Sequence, residues 1–298
     1  MSIAPSARAA LSITSIGTPF TINFDTTVVD VNNGQYAGTG FQPSPSAGQL
    51  DSDSWAVFRN GGDDPPSASP NANTGSLGFG GTQQGAGPPA VQPEWTRGTS
   101  AGGVTNGGIY SFDVSNGGTV DRALGVQPSG GMTFDGGSNL NNNGKITLKV
   151  TNNTGFTVAN WSVTFDVYVL NNENRSSTAA FEYSPNSSDT NGAGSSSAYT
   201  AAGVNVVSPT TASGSPTWVK NSQTVTFTQS IVNGASLNIR WRFFDSGGSG
   251  SRDEMGIDNI RIAIVPEPSA LLFGMLVCGV IGLAAGWRRM VGRRISRS

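Results

Sequence analysis

The chain has no histidine, and this absence removes the side chain that enzymes use most often as a general base near neutral pH. It also excludes a Ser-His-Asp triad and most zinc and iron sites, which depend on imidazole ligands. The only cysteine, Cys278, lies inside an apolar run, so an intrachain disulfide or a cluster of cysteine ligands cannot form. With these routes to catalysis closed, we expect a non-catalytic protein.

Charged residues are also scarce. They make up 12% of the 298 residues, whereas glycine alone occurs 41 times. Long solvent-exposed helices need many Glu, Lys and Arg side chains, so this composition favours short strands separated by tight turns. Apolar residues amount to 36%, with 14 Phe and 6 Trp, which is enough to build a core and argues against a disordered chain.

The charge is distributed unevenly along the chain. Five arginines lie in the last eleven residues, and the remaining 12 basic and 19 acidic side chains give the rest of the chain a formal charge of −7. Because contacts to phosphate groups need lysine and arginine, an acidic body argues against nucleic-acid binding. We therefore expect no nucleic-acid partner.

Period-two alternation of apolar and polar residues, which is typical of half-buried strands, recurs through the body. In NWSVTFDVYVLN, which begins at residue 160, Trp161 and Phe165 fall on one face and Asp166 and Tyr168 on the other. In SLNIRWRFFD, which begins at residue 236, Trp241 falls on the apolar face. Shorter segments with strand character are FTINF, SWAVF, GIYSFDV, GKITLKV, AAFEYS, TVTFTQSIV and NIRIAIV.

These segments predict an all-β fold, an antiparallel β-sandwich of jelly-roll type, with one domain over residues 18–265. Residues 60–108 are dense in Gly, Pro and Asn and show little periodicity. We interpret them as long loops on the same sandwich, because turn-forming residues without alternation do not build a second core.

The last residues of the chain, 266–298, have a different character. Pro266, Glu267 and Pro268 precede an uncharged apolar run, and residues 269–287 predict a transmembrane helix at about 1.5 Å per residue. The positive-inside rule would keep the basic end in the cytoplasm and place the body across the membrane. A buried helix of a soluble core is the alternative. The arginines of this basic anchor are Arg288, Arg289, Arg293 and Arg294.

The order of Pro-Glu-Pro, apolar helix and arginine cluster resembles the PEP-CTERM sorting signal of bacteria. The resemblance implies that an exosortase, a membrane transpeptidase-like enzyme, reads the signal and removes the helix near Pro266, Glu267 and Pro268. It also implies an inner-membrane precursor, a mature protein at the cell surface or in the extracellular matrix, and an association with exopolysaccharide. If the tail stays uncut, the chain would instead be a single-pass membrane protein with an external domain.

Export of a large domain also requires an N-terminal signal. Residues 1–17 hold no long apolar stretch, but the sequence Ala7-Arg8-Ala9 has the small-x-small form of a signal-peptidase site. We interpret residues 1–17 as the end of an export leader whose start lies upstream of Met1.

The body resembles a recurrent exported bacterial module that often precedes this sorting signal. The resemblance is carried by RGTSAGGVTNGGIYSF, DRALGVQPSGG, TLKVTNNTG and the closing GIDNIRI. It implies the compartment and a β-sandwich fold, and it implies no reaction.

Acidic residues around the loop DSGGSGSRDEMGIDN are candidate calcium ligands, namely Asp245, Asp253 and Asp258. Calcium prefers six to eight hard oxygen ligands, which a glycine-rich loop can present. The spacing matches no EF-hand, and aspartates equally form turns by accepting hydrogen bonds from nearby backbone N–H groups. For Asp258 the alternative is to anchor the preceding loop. Calcium is therefore a candidate cofactor, and no cofactor is required.

The main hypothesis is a structural or adhesive surface protein, and the alternative is a carbohydrate-binding module. Sugar binding would use exposed aromatic rings as stacking platforms, whereas most large rings of a sandwich belong to its core. A secreted glycan hydrolase is a third hypothesis, which needs a close pair of carboxyl groups. Candidate platform residues are Tyr36, Phe41, Trp55, Trp95, Tyr168 and Trp218.

Overall fold

The computed structural model describes residues 11–26, 32, 34–58, 76–84, 96–128, 144–190, 192 and 198–266. Within these ranges the chain forms β-strands and one 3₁₀ turn, Asn186–Ser188, and no α-helix. The strands are β1 (Ser12–Ile13), β2 (Phe20–Ile22), β3 (Gly40–Gln42), β4 (Leu50–Asp51), β5 (Trp55–Phe58), β6 (Ser76–Leu77), β7 (Gln83–Gln84), β8 (Thr96–Ser100), β9 (Gly108–Asp113), β10 (Arg122–Gln127), β11 (Gly144–Asn152), β12 (Val158–Leu170), β13 (Arg175–Pro185), β14 (Thr200–Val207), β15 (Trp218–Ile231), β16 (Ser236–Gly248) and β17 (Glu254–Ile264).

Two seven-stranded sheets make up most of the molecule. The first sheet has the order β14-β13-β16-β11-β5-β6, with β1 beside β11, and the second has the order β15-β12-β17-β10-β9-β8, with β2 beside β17. A small third sheet has the order β4-β3-β7. The all-β prediction is confirmed. The sheets are mixed and not purely antiparallel, since the short pairs β1–β11, β3–β4 and β8–β9 run parallel.

The core lies between the two large sheets. Phe165 on β12 of the second sheet stacks on Phe181 on β13 of the first, with ring centroids 5.1 Å apart. It also meets the edge of Trp241 on β16 at 5.5 Å. Trp161 and Trp241 are fully buried, as their positions in the alternating pattern predict. Aromatic contacts of this kind join the sheets because each ring buries a large apolar area.

Tyr168 corrects the prediction for the outer face of β12. Alternation predicts a polar, exposed face there, but Tyr168 is buried in a second apolar cluster with Tyr110, Phe112 and Trp218. The indole Nε1 of Trp218 donates to the backbone O of Ala101 at 2.9 Å, so the loop after β8 packs against this face. A loop distant in sequence therefore decides the burial of this residue.

The predicted loop region 60–108 also needs a correction. Its described parts include β6, β7 and β8, and β8 extends the second sheet by pairing with β9. Edge strands of this kind are held by backbone hydrogen bonds along one side, so they need little apolar alternation.

Residues before the predicted start at 18 also pack against the first sheet. Leu11 and Ile13 are buried in the core, and the N–H of Leu11 donates to Ser54 Oγ at 2.8 Å. At the other end β17 stops at Ile264, next to the predicted boundary at 265.

The transmembrane prediction falls outside the described residues. Residues 269–287, Glu267, Pro268 and the arginines of the basic anchor all lie there. In the ranges that the structure describes, no helix has the length and apolar character needed to cross a membrane.

Candidate functional site

The outer face of the first sheet carries an unusual group of buried charges. Strand alternation points Ile146, Trp241 and Phe181 into the core, and it points the neighbouring residues of the same strands outward. The outward residues are nonetheless almost fully buried, with exposed fractions of 0% for Arg240, 1% for Lys145, 4% for Glu182 and 8% for Arg242. We call the following set the cationic face: Phe58, Lys145, Glu182, Tyr199, Asn238, Arg240, Arg242 and Phe244.

The carboxylate of Glu182 pairs with two guanidinium groups on this face. The register places Arg240 directly opposite Glu182. Arg240 donates from Nε to Glu182 Oε2 at 2.7 Å and from Nη2 at 2.6 Å, while Arg242 Nε donates to Oε1 at 2.8 Å. Buried charges need such geometry, because the loss of hydration has to be offset by direct hydrogen bonds.

Each cation of the face also lies over an aromatic ring. Lys145 Nζ is 4.6 Å from the centroid of Phe58, and the guanidinium carbon of Arg242 is 4.4 Å from that of Phe244. The guanidinium carbon of Arg240 is 3.4 Å from the centroid of Tyr199. Attraction between a cation and the ring face strengthens when both are removed from water.

The connection between β13 and β14 lies across this sheet. The hydroxyl of Tyr199 donates to Asp189 Oδ2 at 2.7 Å, and Asn238 Nδ2 donates to the backbone O of Asp189 at 2.7 Å. Thr147 Oγ1 donates to the backbone O of Gly192 at 2.7 Å. Burial, and then the charge of Asp189, raises the pKa of Tyr199, so this ring stays a neutral donor. These contacts explain why outward-pointing charges are buried.

Two cations of the cationic face are direct neighbours. Lys145 lies directly opposite Arg242 in the pairing of β11 with β16. Burial, followed by the charge of Arg240, lowers the pKa of Lys145 to about 8. Arg242 Nη1 is buried and has no hydrogen-bond acceptor in the described part of the chain. Among the described residues, Glu182 and Asp189 are carboxylates whose charges act on Lys145.

Five of the six rings predicted as sugar platforms are buried. Tyr36, Phe41 and Trp55 are fully buried, and Tyr168 and Trp218 belong to the second apolar cluster. Trp95 lies outside the described residues. The five described rings therefore belong to the packing of the sandwich, which was the alternative interpretation.

The rings of the cationic face are the functional candidates that sequence reasoning missed. The available signal was the pair Arg240 and Arg242, two arginines that alternate with the apolar residues Ile239, Trp241 and Phe243. The sequence pattern placed both arginines on the face opposite the core, and it did not predict that Tyr199 and Phe244 would cover them.

The three predicted calcium ligands lie in different surroundings. Asp245 pairs with Arg175, and although burial raises its pKa, this guanidinium brings the pKa below its ordinary value. Asp253 accepts a hydrogen bond from the N–H of Glu173 at 2.9 Å, and burial raises its pKa. Among the described residues no three His, Cys, Asp or Glu side chains come together as metal ligands. Asp245, Asp253 and Asp258 therefore do not fit a single calcium site.

Asp258 has the most unusual surroundings of the three. It is fully buried on β17, directly opposite Asp166 on β12, and neither carboxylate oxygen accepts a hydrogen bond of ordinary geometry. Burial, followed by the charges of Asp121, Asp25 and Asp166, raises its pKa to about 8. Asp258 is therefore protonated at neutral pH. It does not anchor the preceding loop, which was the alternative role predicted for it.

Glu254, four residues earlier on β17, anchors a loop instead. Its Oε2 accepts from the N–H of Gly103 at 2.9 Å, and its Oε1 accepts from the N–H of Val104 at 2.6 Å. Burial raises its pKa to about 7, although these two hydrogen bonds lower it. Glu254 thus fixes the loop that covers the outer side of the second sheet.

Pro266, the first residue of the predicted sorting motif, follows the last strand almost directly. The N–H of Val265 donates to the backbone O of Asn160 at 3.0 Å, which closes the pairing of β17 with β12. A groove of about 410 Å³ lies beside Pro266, and Phe227 and Thr228 line its far wall.

No protein-family model matches the chain, and no curated protein matches it. Among solved structures, the chain is similar to a carbohydrate-binding module specific for non-crystalline cellulose. The identity is 15% and the TM-score 0.32, over 53% of this chain and 82% of that one. A candidate sugar binding protein from Bacteroides thetaiotaomicron is 10% identical with a TM-score of 0.27, over 56% of this chain and 85% of that one. At TM-scores this low, neither likeness bears on what the chain does.

Proposed function

We propose that the chain is a non-catalytic carbohydrate-binding protein built on a jelly-roll-like sandwich, and that the cationic face forms its binding site. The observation that carries the proposal is the pairing of aromatic rings with hydrogen-bonding charged groups on one face of a sheet. Aromatic rings offer apolar faces against which sugar rings stack, while guanidinium, amide and carboxylate groups bond to hydroxyls.

A ligand would reach the site at its edge, near Phe244 and Arg242. Arg240 and Lys145 are enclosed, whereas Phe244 is half-buried and the side chain of Arg242 is 9% exposed. Phe79 is a second half-buried ring on this side of the sheet, and its ring centroid lies 4.5 Å from Lys149 Nζ. A sugar would stack on Phe244 or Phe79, and the enclosed charges would hold Arg242 in place.

A glycan array probed with the purified chain tests the proposal. We expect retention on a defined subset of polysaccharides and its loss in the variant Phe244→Ala. The matched control is Phe156→Ala, because Phe156 is 65% exposed on the turn between β11 and β12 and lies outside the cationic face. Absence of retention on every glycan, or an equal loss in the two variants, would refute the proposal.

The second candidate function is that of a structural or adhesive surface protein released by an exosortase. The observation that favours it is the position of Pro266, two residues after the end of β17. Cleavage after this point would leave every strand of the sandwich in the mature protein.

The intact mass of the protein recovered from its bacterial host tests the sorting function. Loss of the residues that follow Pro266, Glu267 and Pro268, abolished when the exosortase gene is deleted, would support it. An uncut C-terminus in membranes of the wild-type host would contradict sorting and would favour a permanent anchor. Both results are compatible with carbohydrate binding, so the two functions are tested separately.

A further inference from the structure

We infer that one end of the sandwich is a surface that contacts a lipid bilayer and places apolar side chains among the headgroups. We call the set Ile16, Phe156, Val232 and Val265 the apolar end. The inference does not depend on the proposed function, because none of these residues belongs to the cationic face.

The first observation is a group of exposed apolar side chains on three connections, each of which passes from one large sheet to the other. The connections are residues 14–19 between β1 and β2, residues 153–157 between β11 and β12, and residues 232–235 between β15 and β16. Ile16, Phe156 and Val232 on these connections are 43%, 65% and 57% exposed. Single exposed apolar residues are common on protein surfaces, whereas a group of them marks a contact surface.

Hydrogen bonds hold the three connections to one another. The N–H of Gly155 donates to Asn233 Oδ1 at 2.7 Å, which joins the second connection to the third. Asn153 Nδ2 donates to Ser12 Oγ at 2.6 Å, which joins the second connection to β1. The ring of Phe156 is therefore exposed on a turn that its neighbours fix in place.

The second observation is that this end carries no charge. The three connections contain no Asp, Glu, Lys or Arg. Connections at the opposite end of the sandwich, residues 171–174 and 249–253, include Glu173, Arg252 and Asp253. A charged side chain is costly to bring into a bilayer, and an uncharged one is much less so. The apolar end therefore suits a lipid surface better than the opposite end does.

The third observation is the course of the chain, which identifies a bilayer as the occupant. Ile264, the last residue of β17, pairs with Trp161 near the start of β12, so β17 ends at the apolar end. Val265 follows and is 40% exposed. The predicted transmembrane helix begins at residue 269, and the three residues from Pro266 to that point span at most about 11 Å in any conformation. A helix inserted as predicted would hold this end of the sandwich beside the lipid.

Fluorescence quenching with the full chain in phosphatidylcholine vesicles tests the inference. The only cysteine is removed by Cys278→Ala, and Thr157→Cys then introduces a single site for an environment-sensitive fluorophore beside Phe156. Apolar groups at a bilayer surface lie roughly 5–10 Å into the boundary between headgroups and acyl chains, so we expect a nitroxide in the upper acyl chain to remove more than about half of the fluorescence.

The matched control is Thr217→Cys in the same background. Thr157 and Thr217 are both exposed, and they precede residues that lie at the two ends of β12 or pair there, Val158 and Trp218. The 13 residues of β12 separate the two positions by about 40 Å. We expect the label at residue 217 to keep its fluorescence.

Variants then show whether the apolar side chains are responsible. With the label at residue 157, we expect Phe156→Ser combined with Val232→Ser to reduce the quenching to the level of the control position. Val207→Ser combined with Val219→Ser removes apolar side chains of similar exposure at the opposite end, 57% and 54%, and should leave the quenching unchanged. Circular dichroism establishes that each variant is folded.

Salt distinguishes apolar contact from attraction between charges. We expect the quenching at residue 157 to be the same at low and at high salt, because the apolar end has no charge to be screened. Quenching that is lost at high salt would overturn the inference.

The other outcomes are equally decisive. Failure of the chain to bind the vesicles, or bound chain without quenching at residue 157, would overturn the inference. Equal quenching at residues 157 and 217 would also overturn it, because the sandwich would then lie on its side. Energy transfer between labels at residue 157 of two copies, without quenching by lipid, would assign the apolar end to a second copy of the chain. None of these results bears on retention of the chain by glycans.

Discussion

Glu182 pairs with Arg240, the most deeply buried arginine in the described part of the chain. Its two oxygens accept hydrogen bonds from Arg240 and Arg242, and the residue itself is almost fully enclosed. Removal of the carboxylate charge would leave two guanidinium groups in a poorly hydrated environment. The network therefore depends on one side chain.

We expect Glu182→Gln to lower the free energy of unfolding by about 3–5 kcal/mol, because breaking a buried ion pair leaves uncompensated charge. Urea denaturation at neutral pH measures the change. The control is Asp245→Asn, which breaks the more exposed pair with Arg175, and it should cost about 1 kcal/mol or less. Equal losses in the two variants would mean that burial does not decide the strength of these pairs.

Asp258 makes the stability of the protein depend on pH. Its pKa is about 8 in the folded protein, against about 3.9 for an unperturbed aspartate. Between these values the folded state binds one more proton than the unfolded state. The free energy of unfolding therefore falls as the pH rises, by up to about 1.4 kcal/mol per pH unit from this group.

We expect Asp258→Asn to reduce this pH dependence. The free energy of unfolding of the variant, compared with that of the wild type, should be higher at pH 8 than at pH 5. The neutral amide keeps the shape of the side chain and carries no charge that burial can penalise. Urea denaturation at several pH values provides the measurement. A slope between pH 5 and pH 8 that matches the wild type would show that Asp258 does not titrate there.

At the scale of elements, β10 depends on a close approach that only glycine allows. Gly125 lies opposite Tyr110 on β9 and Gly256 on β17. A Cβ atom at Gly125 would lie 2.0 Å from the ring of Phe112, which is itself fully buried and packs on Trp218 at 4.9 Å. The ring therefore has no room to move away.

We expect Gly125→Ala to lower the free energy of unfolding by about 1–3 kcal/mol, the usual cost of overpacking. Chemical denaturation followed by tryptophan fluorescence reports the change. Gly214→Ala is the matched control, because a Cβ there has no atom within 4 Å. A loss at position 214 as large as that at position 125 would indicate an effect on the backbone and not on packing.

At the scale of the whole molecule, β17 holds the second sheet together. It pairs with β12 on one side and with both β10 and β2 on the other. Val265 follows β17, and Pro266, the first residue of the predicted sorting motif, comes next. The sandwich and the tail are thus joined at the end of a central strand.

We expect a chain that ends after Pro266 to melt at the same temperature as the full chain, since the last backbone hydrogen bond of β17 is made by Val265. A chain that ends after Asp253 lacks β17 and should not fold, because two parts of the second sheet lose their common neighbour. Thermal melts followed by circular dichroism compare the chains. If the chain that ends after Pro266 does not fold, the tail stabilises the domain.

The β-architecture could be predicted from the sequence because strand alternation is a local property. Trp161 and Trp241 have apolar neighbours two residues away, and that pattern alone assigns them to the core. The boundary at residue 265 is inferred from the change in composition, and it stays a prediction. The short strand β8 was missed, because a five-residue edge strand has too few inward positions to show a period.

The sequence by itself determined which residues of the long strands point inward, because this follows from the order of neighbouring residues. Only the tertiary structure decided that Lys145 and Arg242 are buried side by side and that Asp258 faces Asp166. Strand register sets both pairs, and register depends on contacts between segments far apart in the chain. The covering of the cationic face by Tyr199 has the same origin, since no local pattern reveals which outer face a connecting segment will cross.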